Sequence, residues 1–202
     1  MPLKAVLLDW GGVISPGGTP DELVNRLTKN LAVQPDALRA ALKTQTDPFK
    51  RGKLTLDEFW AGLEQALGHT IPESDRDVWT KIGDLAPDTS IIDFVGRLKA
   101  KGFVVAILSN TFPNTADDIK SQGWYDLYSP VVLSSDVGMA KPDAAIYDHV
   151  VSLLGVRPQE VVFVDDQQKC LDPAAAMGMR TILAQDPAQV IGDLSDLLGL
   201  TE

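Results

Sequence analysis

The chain has 202 residues, 45% apolar and 23% charged, with a formal net charge of −10. That make-up suits one globular domain, or a domain carrying an insertion. The acidic balance argues against a nucleic-acid partner, because such affinity comes largely from Lys and Arg neutralising phosphates. No stretch is long and apolar enough for a membrane span, and the short run at the start does not read as a secretory leader. The lone cysteine, Cys170, has no partner for an internal disulfide, so a cytoplasmic location is expected.

In chain order, the first element is a strand in "KAVLLDWGG" (4–12), an aliphatic run ending at Asp9 and turning on Gly11 and Gly12. From about residue 19 to 86 the pattern is helical. "TPDELVNRL" pairs Thr19 with Glu22, and "TLDEFWAGL" pairs Thr55 with Glu58, each in the spacing of a capping box. The cluster Lys50, Arg51, Gly52, Lys53 reads as a solvated turn or as a loop over a substrate. "TSIIDFVGRLKAKG" predicts a helix with Ile91, Ile92, Phe94, Val95 and Leu98 on one side. "FVVAILSNT" (103–111) is a second strand and "PVVLSS" (130–135) a weaker third. "KPDAAIYDHVVSLLG" has Pro142 early and Gly155 late, the asymmetry of a helix. "EVVFVDDQQ" (160–168) and "RTILA" (180–184) complete the strands.

Continuous aliphatic runs suit strands buried on both faces, and their alternation with helices predicts a doubly wound, Rossmann-like α/β parallel sheet. The expected organisation is a core of residues 1–17 and 87–202, with an all-helical cap, 18–86, inserted after the first strand.

Open parallel sheets bind ligands beyond the carboxyl ends of their strands. Asp9, Ser109–Asn110, Lys141 and Asp165–Asp166 fall there. A carboxylate can attack phosphorus, and a hydroxyl, N–H groups and an ammonium can hold phosphoryl oxygens. Further carboxylates suit Mg²⁺, a hard cation that takes oxygen ligands. Two unit charges about 4 Å apart repel by about 4 kcal/mol at an effective dielectric of about 20, so an anionic nucleophile needs such cations nearby.

With "DWGGV", "ILSNT", "SSDVGMAKPDAAIY" and "VVFVDDQQKCLDPAAAMGM" in this order, the chain resembles the haloacid dehalogenase superfamily of aspartyl-phosphate phosphohydrolases. "DxGGV" and "RGKLTLDEFW" look most like its bacterial sugar-phosphate phosphatases acting on glucose 1-phosphate. The resemblance implies a Mg²⁺-dependent phosphatase of a small phosphorylated metabolite, a monomer or homodimer. Asp9 would be the nucleophile and, with the backbone carbonyl of Gly11, Asp166 and Asp165, a metal ligand. Ser109, Asn110, Lys141 and the Gly11–Gly12 turn would hold the phosphoryl group.

Two positions depart from that family's pattern. Most members carry an acid–base Asp two residues after the nucleophile, where this chain has Gly11. Another group can replace it; the enzyme can be slow and favour good leaving groups; or the protein binds a phosphorylated ligand without turnover. A haloacid dehalogenase, which lacks that second Asp and needs no metal, is a further alternative. Cys170 stands where motif four usually has Asn, so weaker Mg²⁺ binding is expected.

Overall fold

The computed structural model describes residues 2–16, 20–31, 33–80 and 86–200. Five parallel strands, β1 (Ala5–Leu8), β2 (Val104–Ser109), β3 (Val131–Leu133), β4 (Val161–Asp165) and β5 (Arg180–Leu183), form one sheet in the order β3-β2-β1-β4-β5. β1 is therefore central, and every neighbouring pair is parallel. Buried on both faces, the strands have no polar side to alternate with, which is why their sequences read as unbroken aliphatic runs.

Alternation sorts their side chains. Val6, Leu8, Val105, Ile107, Val162 and Val164 face one apolar layer, where α5 (Thr89–Ala100), α6 (Pro113–Ser121) and α10 (Pro187–Leu198) pack. Ala5, Leu7, Ala106, Leu108, Val161 and Phe163 face the other, covered by α8 (Ala144–Leu154) and α9 (Gln168–Ala176). Of the helix ends here, Gly155 is expected from the sequence and Asp88 is not. Asp88 caps α5 by accepting from the Ser90 and Ile91 N–H groups, and Gly155 closes α8 in the left-handed conformation.

Between β1 and β2 run α1 (Pro20–Leu31), α2 (Pro35–Lys50), α3 (Leu56–Leu67) and α4 (Glu73–Thr80). They bury an apolar cluster of their own around Leu27, Leu38, Phe49, Phe59, Trp60 and Leu63. The capping box at α3 forms as expected: the Thr55 hydroxyl accepts from the Glu58 N–H, and the Glu58 carboxylate accepts from the Thr55 N–H at 2.8 Å. Thr19, the other expected cap, lies outside the described residues. The short helix α7 (Ser134–Val137) follows β3 directly.

Candidate active site

The register of the central strands creates the site. Leu8 lies opposite Val164, and the Asp9 N–H donates to the Val164 carbonyl at 2.9 Å. One residue further along both strands, Asp9 follows Leu8 and Asp165 follows Val164. Neighbouring strands are about 4.8 Å apart, so the two carboxylates are held as close neighbours by the backbone itself. Lys141 enters between them. Its Nζ lies 2.9 Å from Asp9 Oδ2 and 2.6 Å from Asp165 Oδ2, and all three side chains are buried.

The loop that delivers Lys141 is pinned by Asn110. The Asn110 side-chain amide donates to the Lys141 carbonyl at 2.8 Å, and its oxygen accepts from the Lys141 N–H at 2.9 Å. Asn110 directly follows β2, so one strand end fixes the loop that arms the next. Ser109, the last residue of β2, is buried on the strand adjoining Asp9.

The charges do not balance. Asp9, Asp165 and Asp166 each present an oxygen within 4.8 Å of the others, and Lys141 supplies one ammonium. Burial, and then the Asp9 charge, push Asp165 above the usual carboxylate range, with Lys141 pulling the other way. Asp166 is raised for the same two reasons. Burial opposes the charge on Lys141, but Asp9 and Asp165 together outweigh it and keep the ammonium firmly protonated. Like charges this close favour proton uptake unless a cation joins them. The donors are hard oxygens, so the residues present fit Mg²⁺.

The turn after β1 is built around the same cluster. Gly12 has φ +77°, and a Cβ there would lie 2.6 Å from Asp166 Cγ. Glycine is needed both for the conformation and for the close approach. The Asp9 carboxylate also accepts from the Trp10 N–H at 2.7 Å, and Asp165 Oδ1 from the Gln167 N–H at 2.8 Å. Gly11 differs: among the described residues a Cβ on it would meet no atom within 4 Å, and its φ lies outside the left-handed region.

Thus the structure brings Asp9, Lys141, Asp165 and Asp166 together, with the Gly11–Gly12 turn, Ser109 and Asn110 around them. Cys170 is buried in α9, where burial pushes its thiol up to about 11. It is a protonated, packed side chain at neutral pH, a poor oxygen substitute. Trp10 is core rather than pocket wall: its ring meets Tyr125 edge-on at 4.8 Å and stacks on Trp124.

A seam between the inserted helices and the core escaped the sequence reading. Phe49 stacks on Phe112 with centroids 5.0 Å apart. The Ser134 hydroxyl donates to the Lys50 carbonyl at 2.6 Å. Arg51 Nη1 reaches Asp143 Oδ2 at 2.8 Å while its Nε holds Asp47 Oδ2 at 3.0 Å. Gly52, at φ +64°, sits so close to the Ser135 carbonyl that a Cβ would overlap it at 2.3 Å. The turn after α2 is therefore docked on the segment after β2, on α7 and on the residue two past Lys141. Only the local pattern "RGK" marks it in sequence, and that pattern also suits a solvated turn.

The fold is thus a doubly wound α/β parallel sheet that gathers three carboxylates and one buried lysine at the carboxyl ends of its central strands. The chain belongs to the haloacid dehalogenase-like hydrolases, whose family model matches residues 3–178. It is 29% identical to bifunctional epoxide hydrolase 2 of Rattus norvegicus over 98% of this chain, and spans 39% of that protein's length. It is 27% identical to the D-ribitol-5-phosphate phosphatase of Bacteroides thetaiotaomicron, with 97% of this chain and 98% of that one covered. Among solved structures, a haloacid dehalogenase family enzyme of Bacteroides thetaiotaomicron, in complex with magnesium and inorganic phosphate, superposes with a TM-score of 0.75. It shares 22% identity, with 93% and 98% of the chains covered. Among the described residues, no helix is long and apolar enough to cross a membrane.

Proposed function

We propose that this protein is a Mg²⁺-dependent phosphatase of a small phosphate monoester, with a sugar phosphate as the substrate class suggested by the full-length phosphatase relative. The observation that carries the reading is the buried contact of Asp9 with Lys141, 2.9 Å apart, beside Asp165 and Asp166. Asp9, Asp165, Asp166 and the Gly11 carbonyl would hold the ion. When bound, Mg²⁺ offsets the excess negative charge and draws the phosphoryl oxygens toward Asp9.

The chain's own residues do the rest. Lys141 holds Asp9 in place through the 2.9 Å contact and offers its remaining N–H to a phosphoryl oxygen. The Ser109 hydroxyl and the N–H groups of the turns after β1 and β2 take the other oxygens. One Asp9 oxygen attacks phosphorus, the ester oxygen departs, and water then cleaves the aspartyl phosphate. The helices α1–α4 act as a cap that shields this exchange from bulk water, and the docked turn at Lys50–Lys53 joins cap to core.

The test is release of inorganic phosphate from a panel of phosphorylated metabolites, in Mg²⁺ and in EDTA. Turnover that needs Mg²⁺ and vanishes in Asp9→Asn supports the proposal. Halide release from 2-chloropropionate, with no phosphate released from any ester, would replace it with a dehalogenase. Tight ester binding without turnover would leave a binding protein.

A further inference from the structure

We infer that the amino end of the sheet carries a second ligand site, remote from Asp9, for a small amphipathic anion: an apolar chain or ring bearing one carboxylate or sulfonate. The inference goes beyond the phosphatase reading and does not depend on it, because none of its residues belongs to the acidic cluster.

Strand register builds the site. All five strands are parallel, so the residues that lead into them gather at one end. The Lys4 N–H donates to the Glu160 carbonyl at 2.8 Å, and the Val104 N–H donates to the Lys4 carbonyl at 3.0 Å. The residues just before these three, Leu3, Gln159 and Phe103, therefore enter the sheet together. They line a cavity of about 620 Å³ with Arg180, the first residue of β5, and with Leu197 and Leu198 at the end of α10. Pockets that take small molecules span about 300–1,000 Å³. Asp9 and Asp165 lie at the other ends of β1 and β4.

The lining is apolar and incompletely covered. Leu3, Phe103 and Leu198 pack on the core but stay partly exposed. Leu197 is 38% exposed, and so is Val104, the neighbour of Phe103. Each buried methylene of a ligand gains about 0.8 kcal/mol against such a surface.

Charge selects the ligand. The chain carries a net −10, so an anion needs a local cation that the protein does not already use. The acid at this end, Glu160, is engaged by Lys4 at 2.8 Å and by the Arg157 N–H at 2.9 Å. Among the described residues, no ion pair or hydrogen bond engages the Arg180 side chain. Gln159 donates one N–H to the Met177 carbonyl at 3.4 Å, which leaves its second N–H for a ligand. A purely polar anion gains nothing from Phe103 and the leucines, and an uncharged apolar molecule gains nothing from Arg180. An amphipathic anion uses both.

The experiment is calorimetric titration of the whole protein with hexanoate, octanoate and decanoate, each below its micelle concentration. Displacement of anilinonaphthalene sulfonate by decanoate gives a second readout. EDTA is present throughout, so that no metal at the acidic cluster draws the carboxylate. Affinity should rise about 3–4-fold per added methylene. Arg180 is exposed, so Arg180→Gln should weaken decanoate by about 5-fold. Arg180→Glu should weaken it further and should bind decyltrimethylammonium more tightly than wild type does, a reversal that a change in folding does not produce. Leu197→Gln should flatten the dependence on chain length. Asp9→Asn should bind decanoate as wild type does.

No binding of any of the three acids would overturn the inference. Equal decanoate affinity in wild type, Arg180→Gln and Arg180→Glu would also overturn it, and so would loss of binding in Asp9→Asn. Binding that arises only when residues 201 and 202 are removed would overturn it as well, because the chain's own end would then be the occupant. Failure of the phosphatase reading leaves all of these readouts unchanged, so the two are judged separately.

Discussion

Asn110 grips Lys141 by the backbone rather than by its charged end, donating to its carbonyl at 2.8 Å and accepting from its N–H at 2.9 Å. The ammonium is thereby delivered to Asp9 from a loop with no regular structure of its own. Each such hydrogen bond contributes a net of about 0.5–1.5 kcal/mol. Asn110→Ala should therefore lose about 1–3 kcal/mol of stability in urea unfolding. It should also lower kcat, by up to about 100-fold, because small displacements of a positioned group are costly. Asn110→Asp keeps the acceptor but adds a negative charge beside the acidic cluster, and should not restore either quantity.

Lys141 carries the charge that makes the acidic cluster tolerable without metal. In Lys141→Met the Asp9 and Asp165 carboxylates stay buried and lose their common partner, and breaking a buried pair costs about 3–5 kcal/mol. That loss should appear in urea unfolding with EDTA at neutral pH. Asp165 and Asp166 are already held above the usual carboxylate range, by burial and by Asp9. Mildly acidic buffer should therefore protonate them first and shrink the penalty. Added Mg²⁺ should shrink it at neutral pH by binding the folded state. A variant as stable as wild type in EDTA would show that the carboxylates do not depend on the ammonium.

These relationships also show what the sequence makes legible. β1, β2 and β4 are evident as unbroken aliphatic runs because a strand buried on both faces has no polar side. Asp9, Asp165 and Asp166 are evident only as a set: each alone suits a turn or a helix cap, but together with Lys141 they fall where open parallel sheets bind ligands. The adjacency of Asp9 and Asp165 is not legible, since it depends on which strands pair and in what register. The Asn110 clamp is hidden for a similar reason: it joins residues 31 apart through backbone atoms, which leave no mark on residue type. The docking of Gly52 on Ser135 requires knowing that two distant turns meet, whereas glycine by itself indicates only a turn.

At the opposite end of the sheet, Glu160 fastens the start of β4 to the start of β1. Its carboxylate meets Lys4 Nζ at 2.8 Å and accepts from the Arg157 N–H at 2.9 Å. The lysine contact first, then the backbone N–H, pull its pKa from 4.5 down to about 2. A pKa lowered on folding means stability that is fully present above the unfolded value and is lost as pH falls through the folded one. Wild type should thus exceed Glu160→Gln in stability at neutral pH. The difference should fade between about pH 4.5 and about pH 2. Unfolding midpoints across that range, at fixed ionic strength, check it; a constant difference would mean that Glu160 acts by packing alone.

The seam between the inserted helices and the core joins an ion pair and a close backbone contact, and the two differ in weight. Asp143 is half exposed, and pairs of that kind contribute about 0–1 kcal/mol, so Arg51→Ala should barely move the unfolding midpoint. Gly52→Ala should cost much more. Its left-handed backbone alone disfavours a side chain by about 1–2 kcal/mol. In addition, the new methyl would overlap the Ser135 carbonyl at 2.3 Å, a backbone atom with little freedom to yield. Gly68 separates these contributions. It ends α3 at φ +67° with nothing among the described residues within 4 Å of its would-be Cβ, so Gly68→Ala reports the conformational cost alone. If Gly52→Ala exceeds Gly68→Ala in urea unfolding, the excess measures the docking of the turn. In Gly52→Ala, protease cleavage should also rise within residues 50–55, as the turn lifts from α7. Equal costs for the two variants, with unchanged cleavage, would show that the turn is held by its own backbone and not by the core.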